Sequence, residues 1–573
     1  MSWPRLREAL ILTALLLSGL LLSLLLLSGL NLVQGLINQR MVRQRDLDQP
    51  SAAASPTYYV SLAGDDDNAG TSPQTAWRSI DKLNRRSFAP GSRILFAGGQ
   101  TFIGGLRFDR DDVGTPARPI VIGSYGEGRA TIDAVNGDGI SVHNTGGFQI
   151  ERIAVTGAGR TSNSGSGIIF ANDLVGDVKL RLVRIDQVEL TGFGQHGLLI
   201  DGASGKSGYR DVRLTNIAAH DNALSGITVA GEFKRSAHGY AHEQVYIGAA
   251  RVYNNPGVPG ADRQHSGSGI VVSDVDGGVI ERSTAFNNGA LCEAEEGGPV
   301  GIWAWDANNI TIQFNESYGN GVAGPKDGGG FDLDGGVTNS VMQYNYAHDN
   351  DGAGYLLAQF PYARPFGGNT VRYNISANDG RKNRYGGLHF WGPVVDTQVY
   401  NNTIYVAPAP TGQPAAVVFD PERTTTRNIA LRNNILETSD GLPLIEVPSE
   451  QPGLLLQGNA YFSAGAPLTI DWLGAEYASL SAWRSATGQE QIGGRAVGLS
   501  VDPQLRDPAA SPALGDAALL ATLDSYRLRP TSPLIGAGLD LRREFGIAPG
   551  DRDYYGNGLP QGAAFEIGAY ETK

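Results

Sequence analysis

The sequence between residues 301 and 390 decides the fold, because one short apolar motif recurs there: Gly301-Ile302-Trp303-Ala304, Gly330-Phe331-Asp332-Leu333, Gly354-Tyr355-Leu356-Leu357 and Gly387-Leu388-His389-Phe390. Similar segments extend from residue 139 to residue 419, at intervals of about 24 to 43 residues. Short strands that recur in this way between Gly- and Asn-rich corners are typical of a β-solenoid. The pattern predicts an all-β chain in which residues 119–460 form a right-handed parallel β-helix.

A second short strand, ending in asparagine, lies between most of these motifs. Examples end at Asn315, Asn345, Asn374 and Asn433. Asparagine hydrogen-bonds locally in turns and tolerates the left-handed backbone conformation. We therefore expect these asparagines to stack at one corner of successive coils.

The rest of the chain divides into segments of different composition. They are a basic N-terminal region (1–8), a transmembrane signal anchor (9–37), a linker (38–56), an N-terminal cap (57–118), the β-helix (119–460) and a C-terminal extension that packs on it (461–573). Residues 9–37 carry no charge and exceed the roughly 20 apolar residues that span a bilayer. Trp77, Ile80 and Leu83 have helical spacing and predict a short capping helix, and residues 480–486 predict another.

The charge balance limits the partners of the protein. The chain has 58 Asp and Glu against 45 Lys and Arg, a formal net charge of -13. Such a surface repels phosphates, so we expect no nucleic-acid partner. An acidic polysaccharide is not excluded, because a few placed cations or a bridging metal suffice to bind a uronate. The single cysteine, Cys292, excludes an intramolecular disulfide and a multi-cysteine metal site.

Several segments outside the repeat resemble the pectin-lyase-like superfamily. They are residues 58–65 (Tyr-Tyr-Val-Ser-Leu-Ala-Gly-Asp), 482–488 (Ala-Trp-Arg-Ser-Ala-Thr-Gly), 532–538 (Ser-Pro-Leu-Ile-Gly-Ala-Gly) and 567–571 (Ile-Gly-Ala-Tyr-Glu). The resemblance implies a parallel β-helix outside the cytoplasm, in the periplasm or at the cell surface. The superfamily contains lyases, hydrolases, epimerases and inactive members, so the fold alone does not give the function.

The candidate site follows from the alignment of the motifs. If Ile302, Phe331 and Leu388 point into the core, the residues that follow them point outward, because side chains alternate along a strand. This places a histidine, two carboxylates and three tryptophans on one face: His389, Asp332, Asp334, Trp303, Trp305 and Trp391. Indole rings offer flat surfaces for sugar rings. Asp332 and Asp334 project from the same side of a strand with Cα atoms about 6.5 Å apart, and inverting glycosidases place two carboxyl groups about 6.5–9.5 Å apart.

The segment from Lys326 to Gly336, followed by residues 344–351, resembles the active-site region of polysaccharide lyase family nine. The resemblance implies a lysine base and aspartates that hold calcium. Here Asp332 occupies the lysine position, which weakens the lyase hypothesis and favours hydrolysis.

Three functional hypotheses follow for a polysaccharide or oligosaccharide partner. The first is a glycoside hydrolase without a required cofactor, with Asp332, Asp334 and His389 as catalytic residues and Trp303, Trp305, Trp391, Asp306 and Arg364 as substrate-binding residues. The second is a calcium-dependent lyase or epimerase, with Asp327, Asp349 and Asp351 as metal ligands and Lys326, Arg364, Arg381 or Arg384 as base or substrate clamp. The third is a membrane-tethered, non-catalytic exopolysaccharide-binding protein. The carboxylate pair favours the first.

Overall fold

The fold is taken from a computed structural model, which describes residues 55–203, 206–236, 238–261, 265–420, 425–562 and 564–572. The predicted anchor and most of the linker lie outside the described residues. Among the helices that the structure does describe, none is long and apolar enough to cross a membrane.

The strands of the first third are β1 Thr57–Val60, β2 Arg93–Ala97, β3 Thr101–Ile103, β4 Leu106–Phe108, β5 Ile120–Tyr125, β6 Ala130–Val135, β7 Ile140–His143, β8 Phe148–Glu151, β9 Ile153–Gly157, β10 Ile168–Asn172, β11 Lys179–Asp186, β12 Glu189–Thr191, β13 His196–Gly202 and β14 Gly208–Thr215. They are followed by β15 Ala218–His220, β16 Ser225–Gly231, β17 His242–Gly248, β18 Arg251–Tyr253, β19 Ser268–Glu281, β20 Thr284–Phe286, β21 Val300–Gln313, β22 Glu316–Tyr318, β23 Gly329–Leu333, β24 Val341–Gln343, β25 Tyr346–His348, β26 Tyr355–Ala358, β27 Asn369–Arg372 and β28 Ile375–Ala377. The last are β29 Gly386–Trp391, β30 Val395–Tyr400, β31 Thr403–Val406, β32 Ala415–Asp420, β33 Arg427–Arg432, β34 Ile435–Ser439, β35 Ile445–Val447, β36 Leu455–Gln457, β37 Ala460–Ala464, β38 Ile470–Trp472, β39 Ala475–Tyr477, β40 Gln491–Ile492 and β41 Arg495–Ala496.

The chain winds through three parallel ladders of hydrogen-bonded strands, so the predicted parallel β-helix is confirmed. Ladder 1 consists of β4, β7, β10, β13, β16, β19, β21, β23, β26, β29, β32, β35 and β38. Ladder 2 consists of β1, β2, β5, β8, β11, β14, β17, β19, β21, β24, β27, β30, β33 and β36, and ladder 3 runs from β3 and β6 to β34 and β37. The long strands β19 and β21 pass from ladder 1 into ladder 2. The ladders therefore begin at residue 57, within the segment predicted as a cap.

The core lies inside the coils and consists of stacked apolar side chains. Ile270, Ile302, Phe331, Tyr355 and Leu388 pair in register along ladder 1, and all are buried. The inward orientation predicted for these motifs is thus confirmed. Burial of each such side chain contributes about 1.5–3 kcal/mol to the stability of the fold. Unfolding of one coil also removes its contacts with both neighbouring coils.

Stacked asparagines form one corner of the coils, as predicted. Asn315, Asn345 and Asn374 each donate from Nδ2 to Oδ1 of the asparagine on the next coil, at distances of 3.0, 3.1 and 3.0 Å. The stack continues through Asn402 to Asn434, one residue beyond the predicted Asn433. The left-handed conformation falls on the residue before each asparagine, such as Phe314 and Tyr344 with φ of 54° and 58°. These positions are therefore asparagine because of their side-chain hydrogen bonds, not because of their φ.

Helices and an irregular C-terminal segment cover the rest of the solenoid. The α-helices are α1 Ile80–Leu83, α2 Leu480–Thr487 and α3 Leu541–Phe545, and 3-10 turns span Pro73–Thr75 and Ala517–Thr522. Both short helices that the sequence predicts are present, but α1 begins only at Ile80, because Trp77 forms a parallel β-bridge with Val60 instead. The C-terminal segment packs on ladder 3, where Leu520 and Tyr526 join Tyr346 and Ile375 in one apolar cluster.

Candidate active site

A cavity of about 730 Å³ lies on the outer face of ladder 1 and contains most of the predicted site. Strand pairing sets Trp303, Asp332, Leu356 and His389 side by side on successive coils. A second row of lining residues includes Trp305, Asp334 and Trp391. The register inferred from the motifs therefore brings the predicted tryptophans, aspartates and histidine to one place.

The face is covered, whereas the sequence predicts exposed side chains. Trp303 is 6% exposed, Asp332 is 3% exposed and His389 is 1% exposed. The covering comes from the connections at residues 232–236, 287–299, 319–328 and 359–368, which contribute lining residues above the strands. Because these connections surround the face, the aspartates lie in a recessed cavity, with Asp332 buried and Asp334 half-buried, rather than on an open surface.

One wall of the cavity is aromatic. The ring centroids of Phe233 and Trp305 are 5.5 Å apart, those of Phe233 and Phe360 are 6.2 Å apart, and those of Phe360 and Tyr362 are 4.7 Å apart. Tyr362 is 60% exposed at the rim. These residues were missed because they lie in connections, not strands; aromatic residues two to four positions after a ladder-1 strand are the signal that points to them.

Asp332 lies on the floor of the cavity in β23. Its Oδ1 atom is buried and has no hydrogen-bond partner. Burial, together with the nearby charges of Asp334 and Asp327, raises the pKa of Asp332 well above its ordinary value. Such surroundings favour the protonated acid over the carboxylate, and a protonated acid can donate a hydrogen bond.

Asp334 follows β23 and is half-buried. Its Oδ1 accepts a hydrogen bond from the Gly335 N–H at 2.6 Å. Burial raises its pKa to about 7, with Asp327 adding to the effect and the Gly335 hydrogen bond opposing it. A carboxyl group with this pKa can give up and regain a proton near neutral pH, as a general acid must.

Asp327 faces the same cavity from the connection before β23. Its Oδ2 accepts from the Gly298 N–H at 2.6 Å, and its Oδ1 accepts from the Tyr385 hydroxyl at 3.2 Å. The Tyr385 oxygen in turn accepts from the Asp327 N–H at 2.7 Å. Both carboxylate oxygens of Asp327 thus serve as hydrogen-bond acceptors, and its backbone N–H is tied to the same tyrosine. Tyr385 was not predicted, since it lies 58 residues from Asp327.

His389 sits at the C-terminal end of the cavity, beneath the ring of Tyr385 at a centroid distance of 4.9 Å. Its Nδ1 accepts from the Gly386 N–H at 3.4 Å, and its Nε2 lies 3.8 Å from Asp420 Oδ2. These contacts fix the orientation of the ring two coils away from Asp332.

Asp306 and Arg364, predicted to bind substrate, form a buried ion pair instead and do not line the cavity. The same guanidinium bonds to Asp274 at 3.0 Å and lies over the ring of Tyr240 at 4.2 Å. Asp274 and Asp306 occupy the left-handed corner where β19 and β21 pass between ladders, with φ of 52° and 47°. Arg364 therefore neutralises two stacked corner carboxylates and holds the 359–368 connection over the face.

The predicted metal ligands do not converge. Asp349 accepts from His348 at 2.9 Å and from Ser511 at 2.7 Å, beneath the C-terminal segment. Asp351 accepts from the Val322 N–H at 3.1 Å. In the part of the chain that the structure describes, no group of three or more His, Cys, Asp or Glu side chains could hold a metal ion.

The predicted cationic residues are also dispersed. Arg381 donates to the carbonyl of Pro408 at 3.1 Å, and Arg384 pairs with Glu446 at 2.8 Å. Neither lines the cavity, whereas Lys326 does. Among the described lining residues, Lys326 is the one lysine or arginine, against five carboxylates: Glu295, Glu296, Asp327, Asp332 and Asp334.

Comparisons with known proteins gave remote similarity. No family model matches the chain. A lacto-N-biosidase from Bifidobacterium longum subsp. longum is 24% identical in an alignment 467 positions long, gaps included, that covers 62% of this chain and 28% of that protein. The chain thus spans little more than a quarter of the relative's length.

Solved structures similar to this chain include a GH136 lacto-N-biosidase from Eubacterium ramulus, with 18% identity, a TM-score of 0.47 and coverage of 65% of this chain and 67% of that one. Another is the pectate lyase Pel9A, with 16% identity, a TM-score of 0.43 and coverage of 91% of this chain and 98% of that one.

Proposed function

We propose that the protein is a glycoside hydrolase that cleaves an uncharged oligosaccharide or polysaccharide. The observation that carries this proposal is the convergence of three aspartates in one aromatic-walled cavity, one of them with a pKa of about 7. The similarity to a protein named lacto-N-biosidase supports the same class of reaction.

Asp334 and Asp327 have the surroundings that the two glycosidase roles require. Asp334, with its pKa of about 7, donates a proton to the glycosidic oxygen as the bond to the anomeric carbon breaks. Asp327, held by two hydrogen-bond donors, either attacks the anomeric carbon or takes a proton from the water that attacks it. One water is consumed, and the products are a new reducing end and a free hydroxyl group. The anomeric configuration of the product distinguishes the two routes for Asp327.

Asp332, first predicted as half of the catalytic pair, takes a different role in this proposal. Its raised pKa favours the protonated acid, which offers a hydrogen-bond donor to the substrate from the floor of the cavity. It is therefore a positioning residue, and its carboxylic acid can be replaced by an amide of the same shape.

The charge of the cavity favours an uncharged sugar. With Asp332 and Asp334 protonated, the carboxylates of Glu295, Glu296 and Asp327 still outnumber Lys326 among the described lining residues, so a uronate would be repelled. Aromatic faces bind the apolar face of any pyranose and do not require charge. The calcium-dependent lyase or epimerase remains the second candidate, since the segment around Lys326 and Asp327 resembles such enzymes, but Arg364, Arg381 and Arg384 are engaged elsewhere.

The test is an activity screen of the full chain against uncharged and uronate polysaccharides, and against p-nitrophenyl lacto-N-bioside, with calcium or with chelator. We expect new reducing ends without unsaturated products, lost in Asp334→Asn and Asp327→Asn. Asp471→Asn is the matched control, because Asp471 pairs in register with Glu446 in the same row of ladder 1, outside the cavity. Calcium-dependent ultraviolet absorbance would instead assign a lyase, and binding without turnover would assign a carbohydrate-binding protein.

A further inference from the structure

The cavity extends well beyond the aspartates towards the N-terminal end of the solenoid. Thr228, Val271, Trp303 and Asp332 lie in one row, paired in register on β16, β19, β21 and β23. Adjacent strands are about 4.8 Å apart, so Thr228 lies about 14 Å from Asp332 along the axis. On the opposite side, the cavity reaches only two strands further, to His389.

A polar cluster forms this N-terminal end. His196 Nδ1 lies 2.8 Å from Ser225 Oγ and 3.2 Å from Thr228 Oγ1, and the two hydroxyl oxygens are 2.6 Å apart. His196 and Ser225 face each other in register on β13 and β16. All three side chains line the cavity, next to the apolar Leu224 and Ala230.

We propose that His196, Ser225 and Thr228 form a distal subsite that hydrogen-bonds the hydroxyl groups of a sugar. This sugar is bound further towards the N-terminal end of the solenoid than the cleaved bond. This inference rests on the proposed function. Because Nδ1 is tied to two hydroxyls, the orientation of the ring at the wall of the cavity is fixed. Burial lowers the pKa of His196 to about 4, so the ring is neutral at physiological pH and matches an uncharged sugar.

The floor between the cluster and the aspartates suits a chain of sugars. It carries Val271, the hydroxyl of Ser268 and the indole of Trp303, whose Nε1 donates to Ser268 at 3.2 Å. A pyranose with its linkage is about as long as one interstrand step, so about three sugars reach from the aspartates to Thr228. The substrate is therefore an unbranched glycan longer than a disaccharide, lying parallel to the solenoid axis.

The test measures how kcat/KM depends on chain length. The probes are xylan-, cellulose- and chitin-derived oligosaccharides of two to six sugars, with full-length wild type, His196→Ala and Thr228→Val. Wild-type kcat/KM should rise with length. The kcat/KM of both variants should be about tenfold below wild type on the longest cleaved glycan and within about twofold of wild type on the shortest. Only the long glycan reaches the side chains that the substitutions remove. His143→Ala, on β7 outside the cavity, is the matched histidine control.

Calorimetric binding of the same hexasaccharides to full-length Asp334→Asn separates this proposal from the hydrolase assignment. Tight binding that His196→Ala weakens about tenfold supports the subsite even if no bond is cleaved. Equal losses on short and long glycans, or no loss on either, would overturn it, as would a failure of all these glycans to bind or be cleaved.

Discussion

Replacing Asp334 by Asn should abolish activity and at the same time stabilise the fold. The folded chain raises the pKa of Asp334 from 3.8 to about 7 through burial. Because the folded state then holds this proton more tightly than the unfolded state, ionisation costs stability as the pH rises from about 4 to about 7. The two values differ by about 3, and each pKa unit corresponds to about 1.36 kcal/mol, so the cost above pH 7 is about 4 kcal/mol.

Asparagine removes that cost while keeping an oxygen to accept the Gly335 hydrogen bond. Hydrogen exchange of the backbone amides in residues 329–336 is the direct assay, because a solenoid can open coil by coil rather than all at once. At pH 8, the hydrogen-exchange protection factors of these amides should be up to about a thousandfold higher in Asp334→Asn than in wild type, which corresponds to about 4 kcal/mol. At pH 4 the two should agree.

The control for this experiment is Asp471→Asn, which changes the same residue type on the same ladder outside the cavity. It should leave the protection of residues 329–336 unchanged at both pH values. If Asp334→Asn were no better protected than wild type at pH 8, or if the gain did not depend on pH, Asp334 would not be a carboxyl group of raised pKa, and its assignment as the proton donor would fail.

Further predictions concern the neighbouring groups. Wild-type kcat/KM should fall above about pH 7, where Asp334 loses its proton. A pH–rate profile that does not fall there would contradict the assignment of Asp334 as proton donor. Asp332→Asn should retain activity within about tenfold, since the amide copies the neutral acid; a loss as large as that of Asp334→Asn would make Asp332 a catalytic group. Arg364→Met should lower the free energy of unfolding by about 3–5 kcal/mol, because the buried Asp306 loses its partner, and urea unfolding that shows less than about 1 kcal/mol would refute this. Trp391→Ala should raise KM more than it lowers kcat in steady-state kinetics, as expected for a cavity residue that stacks on a sugar ring; an effect on kcat alone would contradict this.

Local repetition made the strands predictable. The Gly-led motifs align Trp303, Asp332 and His389 correctly, because side chains alternate along strands and parallel pairing keeps equivalent residues in register. The same logic predicted the inward orientation of Ile302 and Phe331. The stacked asparagines were predicted within one residue, since each coil needs the same hydrogen bonds at the same corner.

The covering of the face was not predictable, because it depends on contacts between residues far apart in the chain. Arg364 pairs with Asp306 across 58 residues, and Tyr385 holds Asp327 across the same separation. No local pattern encodes either contact. An arginine and an aspartate near a candidate site therefore look like substrate-binding residues in the sequence, while in the folded chain they hold a connection in place.

The most direct test of glycoside hydrolysis by the cavity aspartates is the identity of the products formed by the full chain. Digestion of uncharged oligosaccharides in ¹⁸O-labelled water, followed by mass spectrometry, should show one labelled oxygen at each new reducing end with wild type and none with Asp334→Asn or Asp327→Asn. Products without labelled oxygen that carry an unsaturated sugar, formed from uronate polymers, would contradict the proposal that the cavity aspartates hydrolyse an uncharged glycosidic bond.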